Sequence, residues 1–318
     1  MEYNKQIAYM VPGDEVEGYY LLNSAAQRLS SNGKAYLTGS LRDVSGSMDY
    51  KVWDYQGQLD GDCDGKIVKI RGTVSEYKGA RQLTVSRIRT VTDADTRNYN
   101  IEDIIPSAPI DSVKELEYIQ NLVASIEDQD YRRVSEAMLD RHLVSFGKIP
   151  AAKSIHHSFI SGLLMHTGNM LRIADFLSTN IYPDAVDRSL LLAGTLLHDF
   201  AKDREFSFSE LGTVTDMSTK GRLLGHLVMG AEEVGSLCRD LNIPEEKTML
   251  LQHMILSHHG QPEYGAAVVP CIAESELLYH IDLIDSRMEI YAETFEQLPS
   301  GSFSDKIFAL DKRIYNHD

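Results

Sequence analysis

Apolar and polar residues alternate along the first ninety positions and gather at helical spacing beyond about residue 110. In KIVKIRGTV, Val68, Ile70 and Val74 share one parity, and Lys69 and Arg71 take the other, the period of a half-buried strand. GYYLLNSAAQRL, KAYLTGSLRD and MDYKVWDY read as further strands, with a turn at Val44-Ser45-Gly46-Ser47 and a hairpin loop at Tyr77-Lys78-Gly79-Ala80. Five or so strands between residues 14 and 92, with a glycine-bearing turn between neighbours, suit a small closed β-barrel.

Residues 93–110 are polar, contain Pro106 and Pro109, and mark a boundary. Beyond it the pattern is helical. Asp111 or Ser112 can cap a helix over VKELEYIQNLVASI, and a second helix is expected over Tyr131–Leu139. Further helices are predicted over 156–179, 184–202, 220–241, 245–258 and 271–298, with a hairpin or loop at 204–217. The expected fold class is therefore two-domain, an all-β OB-fold barrel over residues 1–105 followed by an all-α domain over 106–318.

Charge sharpens this division. Residues 1–105 hold 13 basic and 15 acidic residues, net −2, and the remainder holds 18 and 32, net −14. A polyanion therefore meets less repulsion at the barrel, where the run Lys66–Arg89 carries seven cations against Glu76. OB-type barrels hold single strands by stacking bases on exposed aromatics beside basic grooves. Tyr36, Tyr50, Trp53 and Tyr77 are the candidate stacking rings, with core packing as the competing reading of each. Lys69, Arg71, Lys78 and Arg81 are the candidate phosphate contacts. Cys63, Cys238 and Cys271 are too few and too scattered for a disulfide framework or a cysteine zinc site. With no apolar leader and no run approaching ~20 apolar residues, a cytoplasmic protein without membrane contact is expected.

The helical part carries the chemistry, because ten of the eleven histidines lie between His142 and His280. The segment SLLLAGTLLHDFAK, residues 189–202, is an apolar run that ends in His198-Asp199, with Lys202 three residues after the carboxylate. Burying an imidazole and a carboxylate is unfavourable unless hydrogen bonds or a metal ion compensate. His166, His226, His258-His259 and Asp282 fall on four other predicted helices. Imidazole suits Mn, Fe, Co, Ni or Zn, carboxylates add harder ligands, and a carboxylate between two ions can bridge them. For each histidine alone, a hydrogen-bonded core role competes. His259 can equally support its neighbour, His253 and His280 read as structural, and Lys202 alone can be a C-terminal helix cation.

The order H, HD with the lysine, H, HH, D on a helical scaffold resembles the HD-domain metal-dependent phosphohydrolases, and His226 and His258 resemble their two-metal subgroup. PAAKSIHHSFISGLLMHT, LLHDFAK, GRLLGHL, ILSHHG and the Tyr279–Met288 segment, with KVWD and YKGARQLTV in the barrel, are similar to the YhaM-type 3′-5′ exoribonucleases over about residues 14–290. That resemblance implies an OB-fold joined to an HD domain, acting on single-stranded RNA, with single-stranded DNA as a further candidate, and releasing 5′-mononucleotides. It implies two divalent transition-metal ions drawn from Mn, Co, Fe, Ni and Zn, with Mn first. His166, His198, Asp199 and Asp282 would hold one ion, and Asp199 would bridge to another on His226 and His258, with His259 as a further ligand. Asp199 and Lys202 are the expected catalytic residues. Lys153, His157 and Arg222 are expected contacts to the 3′-nucleotide, and Trp53, Lys69, Arg71, Tyr77, Lys78 and Arg81 to the upstream strand. A homo-oligomer is compatible with all of this. Two other classes remain open, an HD phosphohydrolase acting on a small nucleotide or cyclic dinucleotide, with a di-iron oxygenase as its cousin, and a non-catalytic single-strand-binding protein. The heavy acidity departs from what an RNA enzyme leads one to expect.

Overall fold

In a computed structural model of the chain, the period-2 segments form five long strands. The structure describes residues 2–317, apart from 31, 60–62, 64, 78, 106, 152–158 and 209–213. Two compact units are present, Met1–Ser107 with Phe208–Thr215, and Ala108–Ser207 with Asp216–Asp318.

In the first unit the short β1 (Glu2–Tyr3) lies parallel to β2 (Glu15–Leu29), followed by β3 (Ala35–Asp43), β4 (Gly46–Val52), β5 (Ile67–Tyr77) and β6 (Ala80–Thr90). The order is β1-β2-β3-β4-β6-β5, and β2 also pairs with β5, which closes the barrel. Among the described residues, the only parallel contact between the five long strands is β4–β6. This closed five-stranded arrangement is that of an OB-fold. The predicted parity holds. Val68, Ile70 and Val74 enter a core with Tyr20, Leu22, Leu41, Tyr50, Leu83 and Val85. Each aliphatic side chain buried there stabilises the barrel by ~1.5–3 kcal/mol.

The second unit is helical. Helix α1 (Ser112–Ala124) is capped by Asp111, whose carboxylate accepts from the amides of Val113 and Lys114. Helix α2 runs over Gln129–Phe146, well beyond the expected Tyr131–Leu139, because His142 and Phe146 continue its buried face. Then come α3 (Gly162–Phe176), α4 (Arg188–Leu197), α5 (Lys202–Glu205), α6 (Thr219–Asp240), α7 (Glu245–Ser257) and α8 (Ala273–Gln297). The 204–217 segment yields the short paired strands β7 (Phe206–Phe208) and β8 (Val214–Met217).

Helix α4 is the spine, with every residue from Ser189 to Leu197 buried. It packs on α2, α3, α7 and α8. Gly194 allows the approach to α7, since a Cβ there would stand 2.4 Å from the Met254 side chain. The helix does not continue to residue 202 as periodicity suggests. It ends at Leu197, and residues 198–201 form a turn.

Beside that turn a buried imidazole, His142, sits in a half-buried charge cluster. His142 Nδ1 is 2.7 Å from Asp203, its Nε2 is 3.2 Å from Glu233, and its ring stacks on Phe200. Arg141 and Arg204 also pair with Glu233. Burial lowers the His142 pKa, but the two carboxylates outweigh it and hold the group at about 9. A pKa raised on folding contributes stability that is complete below the unfolded value, ~6.5, and is lost as pH rises through the folded one. Between pH 7 and 10 this group's contribution to the unfolding free energy is expected to fall by about 2 kcal/mol, so the thermal midpoint should drop less steeply over that range in His142→Gln. Parallel melting profiles for the two proteins would remove His142 from the account.

Candidate metal centre and barrel surface

Five elements each deliver a side chain to one point. His166 comes from the middle of α3, His198 and Asp199 from the turn after α4, His226 from α6, His258 from the end of α7 and Asp282 from α8. His166, His198, Asp199, His226 and His258 are all buried. Asp199 lies at the centre. Its Oδ2 is 3.1 Å from His198 Nε2 and 3.9 Å from His166 Nε2. Its Oδ1 is 3.4 Å from His226 Nε2 and 3.7 Å from His258 Nε2. Asp282 Oδ1 is 3.4 Å from His166 Nε2.

The opposite ring nitrogens are committed. His198 Nδ1 is 2.7 Å from the Thr195 carbonyl, and His258 Nδ1 is 2.8 Å from that of Ile255. His166 Nδ1 meets Asp285 at 2.7 Å, and Asn169 donates to the other oxygen of that carboxylate. His226 Nδ1 meets Glu205 Oε1 at 2.9 Å, and the same oxygen accepts from the His226 amide. Each partner selects the tautomer that turns a bare Nε2 inward, as metal-binding imidazoles require.

Among the described residues, His198 Nε2, His226 Nε2, His258 Nε2, His259 Nδ1 and Asp199 Oδ1 are buried with no hydrogen-bond partner. Orphaned acceptors in such a cluster are costly, and a bound cation would satisfy them together. Ligand atoms converge in three groups, each within 4.8 Å, namely His166-His198-Asp199, His198-His258-Asp282 and His226-His258-His259. The donor set fits divalent metal ions.

The electrostatics agree at Asp199, Lys202, His258 and His259, and run the other way at His198. Burial would raise the Asp199 carboxyl, but Lys202, with Nζ 2.6 Å away, and His198 hold it well below its usual range. Burial would lower the Lys202 ammonium, and Asp199 reverses this and keeps it charged. Burial, with the neighbouring imidazoles, pushes His258 far down, and burial with His226 brings His259 to about 4, so both rings are neutral at pH 7. At His198 burial opposes the proton and Asp199 outweighs it.

The seven expected ligands thus meet. Lys202 also reaches the centre, by a different route from that expected. It does not share a helix with His198 but starts α5 after the turn, with its amide donating to the Asp199 carbonyl at 3.0 Å. His226 is likewise not in an unbroken helix. Gly225, at φ 71° and ψ 161°, bends α6 immediately before it. Arg222 is exposed, holds Asp216 through both carboxylate oxygens and does not line the cavity. Lys153 and His157 lie outside the described residues, as does Lys78. His253 accepts from the Cys271 amide, and His280 makes a surface pair with Glu276.

Sequence reasoning missed Glu205, Asp285, Tyr264 and Tyr279. The tyrosines line the roughly 340 Å³ cavity over the histidine–aspartate cluster, with Tyr264 on its exposed lip. Asp285 stands one helical turn after Asp282, and that spacing was the one available signal.

On the barrel, Tyr50 is core, as its parity with Val52 allows, and Trp53 and Tyr77 are exposed. The Tyr36 and Trp53 rings lie 5.0 Å apart, and Lys51 Nζ stands 5.4 Å from Trp53 and 5.2 Å from Tyr77. Lys51 was not among the expected contacts. Two that were expected are engaged within the barrel. Arg81 donates to the carbonyls of Ile7, Ala8 and Met10, and Lys69 pairs with Glu17 at 3.0 Å.

The HD domain family model matches residues 163–287. The chain is similar to the 3′-5′ exoribonuclease YhaM of Bacillus subtilis (strain 168), with 35% identity over 305 residues, 95% of each chain. It is equally similar to the 3′-5′ exoribonuclease YhaM of Halalkalibacterium halodurans, 35% identical over 314 residues, 98% of this chain and 96% of that one. Among solved structures, the second OB-fold domain of replication protein A from Methanococcus maripaludis is 16% identical, covering 29% of this chain and 97% of that domain, with a TM-score of 0.24. Among the described residues, no helix is long and apolar enough to cross a membrane.

Proposed function

The chain belongs to the YhaM family of 3′-5′ exoribonucleases and is a metal-dependent enzyme of that class, and we propose that it uses two divalent transition-metal ions bridged by Asp199 to release 5′-mononucleotides from single-stranded RNA. The observation that carries the two-ion reading is the division of Asp199, with Oδ2 facing His198 and His166 and Oδ1 facing His226 and His258. His166, His198 and Asp282 would complete one site, and His226, His258 and His259 the other. Mn is the first candidate. When bound, such ions make a water nucleophilic near neutral pH and stabilise charge on phosphorus and the leaving oxygen.

The chain's own groups do the positioning. Asp285 and Glu205 hold the His166 and His226 rings in the ligating tautomer, and the Thr195 and Ile255 carbonyls do so for His198 and His258. Lys202 keeps its proton and offers it to a non-bridging phosphate oxygen or to the departing 3′-oxygen. Tyr264 and Tyr279 present ring surface to the terminal nucleoside. On the barrel, Tyr36, Trp53 and Tyr77 around Lys51 form the stacking platform for upstream bases. Tyr36 and Trp53 lie on β3 and at the end of β4, and Tyr77 at the last loop, the usual ligand face of this barrel.

Protein stripped with EDTA and given 5′-labelled oligoribonucleotide with Mn²⁺, Co²⁺ or Mg²⁺ is expected to yield a ladder of 3′-shortened products and free 5′-mononucleotide. An inert oligonucleotide beside a hydrolysed small nucleotide would transfer the site to the small-molecule class. Elemental analysis finding one ion per active chain would end the bridged form.

Lys202→Ala should retain the ions, because it removes a competitor for Asp199. Its kcat should fall by roughly 10²–10³ with little change in KM, the loss typical of one preorganised donor. An unchanged kcat would leave Lys202 as a counter-ion alone.

A further inference from the structure

Two cation pairs face each other across the β5–β6 ladder, and they are treated differently. Lys69 lies opposite Arg89, and Arg71 lies opposite Arg87. Like charges directly opposite in a sheet repel. The first pair is neutralised member by member. Glu17 takes Lys69 at 3.0 Å, and Asp95 takes Arg89 through two bonds of 2.7 Å. The second pair has no carboxylate partner among the described residues, and both guanidinium groups are exposed. A groove of about 410 Å³ lies over them, with Ser86 and Gln58 on its wall beside the paired Glu17, Lys69 and Arg89.

Glu17 stands opposite Arg71 on β2, but its carboxylate is taken by Lys69, so the two guanidinium groups keep their positive charge. Two guanidinium forks aimed into one groove match the oxygens of a phosphodiester. Position and charge select the ligand. The groove lies on β5–β6 rather than on the β3–β4 face that carries the aromatic platform. Arg71 nonetheless shares its outward parity on β5 with Tyr77 of that platform, six residues or about 20 Å away.

The geometry points to a second nucleic-acid subsite at Arg71 and Arg87, which holds backbone phosphates of a single strand whose bases stack on the Trp53–Tyr77 platform. This rests on the exoribonuclease reading for the identity of the polyanion. The subsite reads charge and spacing and carries no base specificity.

The test uses the full chain in EDTA, where the strand is bound and not cut. Binding of a long oligouridylate is measured against salt for the unmodified protein, for Arg71→Gln/Arg87→Gln, and for a control, Arg28→Gln/Arg97→Gln, that removes two other exposed cations of the same unit. Each phosphate contact to a single strand contributes a log–log salt slope of about −0.7. The Arg71/Arg87 double variant is expected to lose about 1.4 from the slope and to bind roughly ten- to thirtyfold more weakly near 0.1 M salt. The control should lose less than half of that. An unchanged slope in the Arg71/Arg87 variant overturns the proposal, as does an equal loss in the control. An unchanged slope with lost binding of polyglutamate would give the groove to an acidic polypeptide instead. Restoring Mn²⁺ to the unmodified protein tests the enzymatic reading separately. Failure to shorten the oligouridylate would count against that reading, while the salt slopes still decide the subsite.

Discussion

Asp199→Asn is expected to strip the protein of both ions and to lower kcat by roughly 10³-fold or more. Asparagine keeps the volume of the side chain and removes its charge. Asp199 turns one oxygen to each histidine group, Oδ2 to His166 and His198 and Oδ1 to His226 and His258. A substitution at His226 or His166 should weaken chiefly one ion, whereas this one removes the anion common to both. Metal charge stabilisation in such reactions amounts to several kcal/mol, and each 1.36 kcal/mol is tenfold in rate. The variant also leaves the Lys202 ammonium without its 2.6 Å partner in a buried site, so its melting temperature should be recorded beside its activity. Elemental analysis after dialysis decides the matter. Two ions retained per chain in a folded Asp199→Asn protein would exclude the bridge, and loss of only one would assign Asp199 to a single site.

Gly225→Ala is expected to reduce kcat/KM by roughly 10- to 100-fold without unfolding the chain. At φ 71° and ψ 161° its backbone lies in a region that is essentially confined to glycine, and a side chain there costs ~1–3 kcal/mol. The strain falls beside the centre. The bend at Gly225 frees the His226 amide, which donates to Glu205 Oε1 at 3.0 Å while His226 Nδ1 meets the same oxygen. Relaxing an alanine at 225 toward helical angles would pull both contacts off Glu205 and rotate Nε2 away from Asp199. Loss of an orienting partner of this kind typically weakens metal binding 10- to 100-fold. Leu224→Ala, at the exposed neighbouring position, should leave kcat/KM and metal content within twofold. Wild-type metal retention and kcat/KM in Gly225→Ala would show that the bend does not place His226.

Local periodicity was sufficient for the architecture, because strands and helices are written at spacings of two and of three to four residues. The barrel's inward set of Val68, Ile70 and Val74, and the burial of the run ahead of His198-Asp199, follow from such spacings. The imidazoles and carboxylates that converge on Asp199 were equally legible as types and in their order along the chain, since each sits in or at the end of an apolar segment where an uncompensated polar group is costly. Where α4 stops was not legible. Phe200 and Ala201 are as buried as the residues before them, so periodicity continues across a turn in which the helical hydrogen bonding has lapsed. Nor could sequence show which cations remain free. Arg81 is held by carbonyls some seventy positions earlier, Lys69 by Glu17 on the neighbouring strand and Arg89 by Asp95, while Arg71 and Arg87 have no such partner among the described residues. The roles of Glu205 and Asp285 belong to the same class. Twenty-one and 119 positions separate them from the histidines they orient, and a contact of that kind exists only once the chain has closed. Sequence therefore determined the elements and the chemical inventory of this protein, which are properties of neighbours along the chain. Tertiary structure decided the tautomers, the division of Asp199 between two histidine groups and the unpaired cations, because each of these depends on distances between residues far apart in sequence.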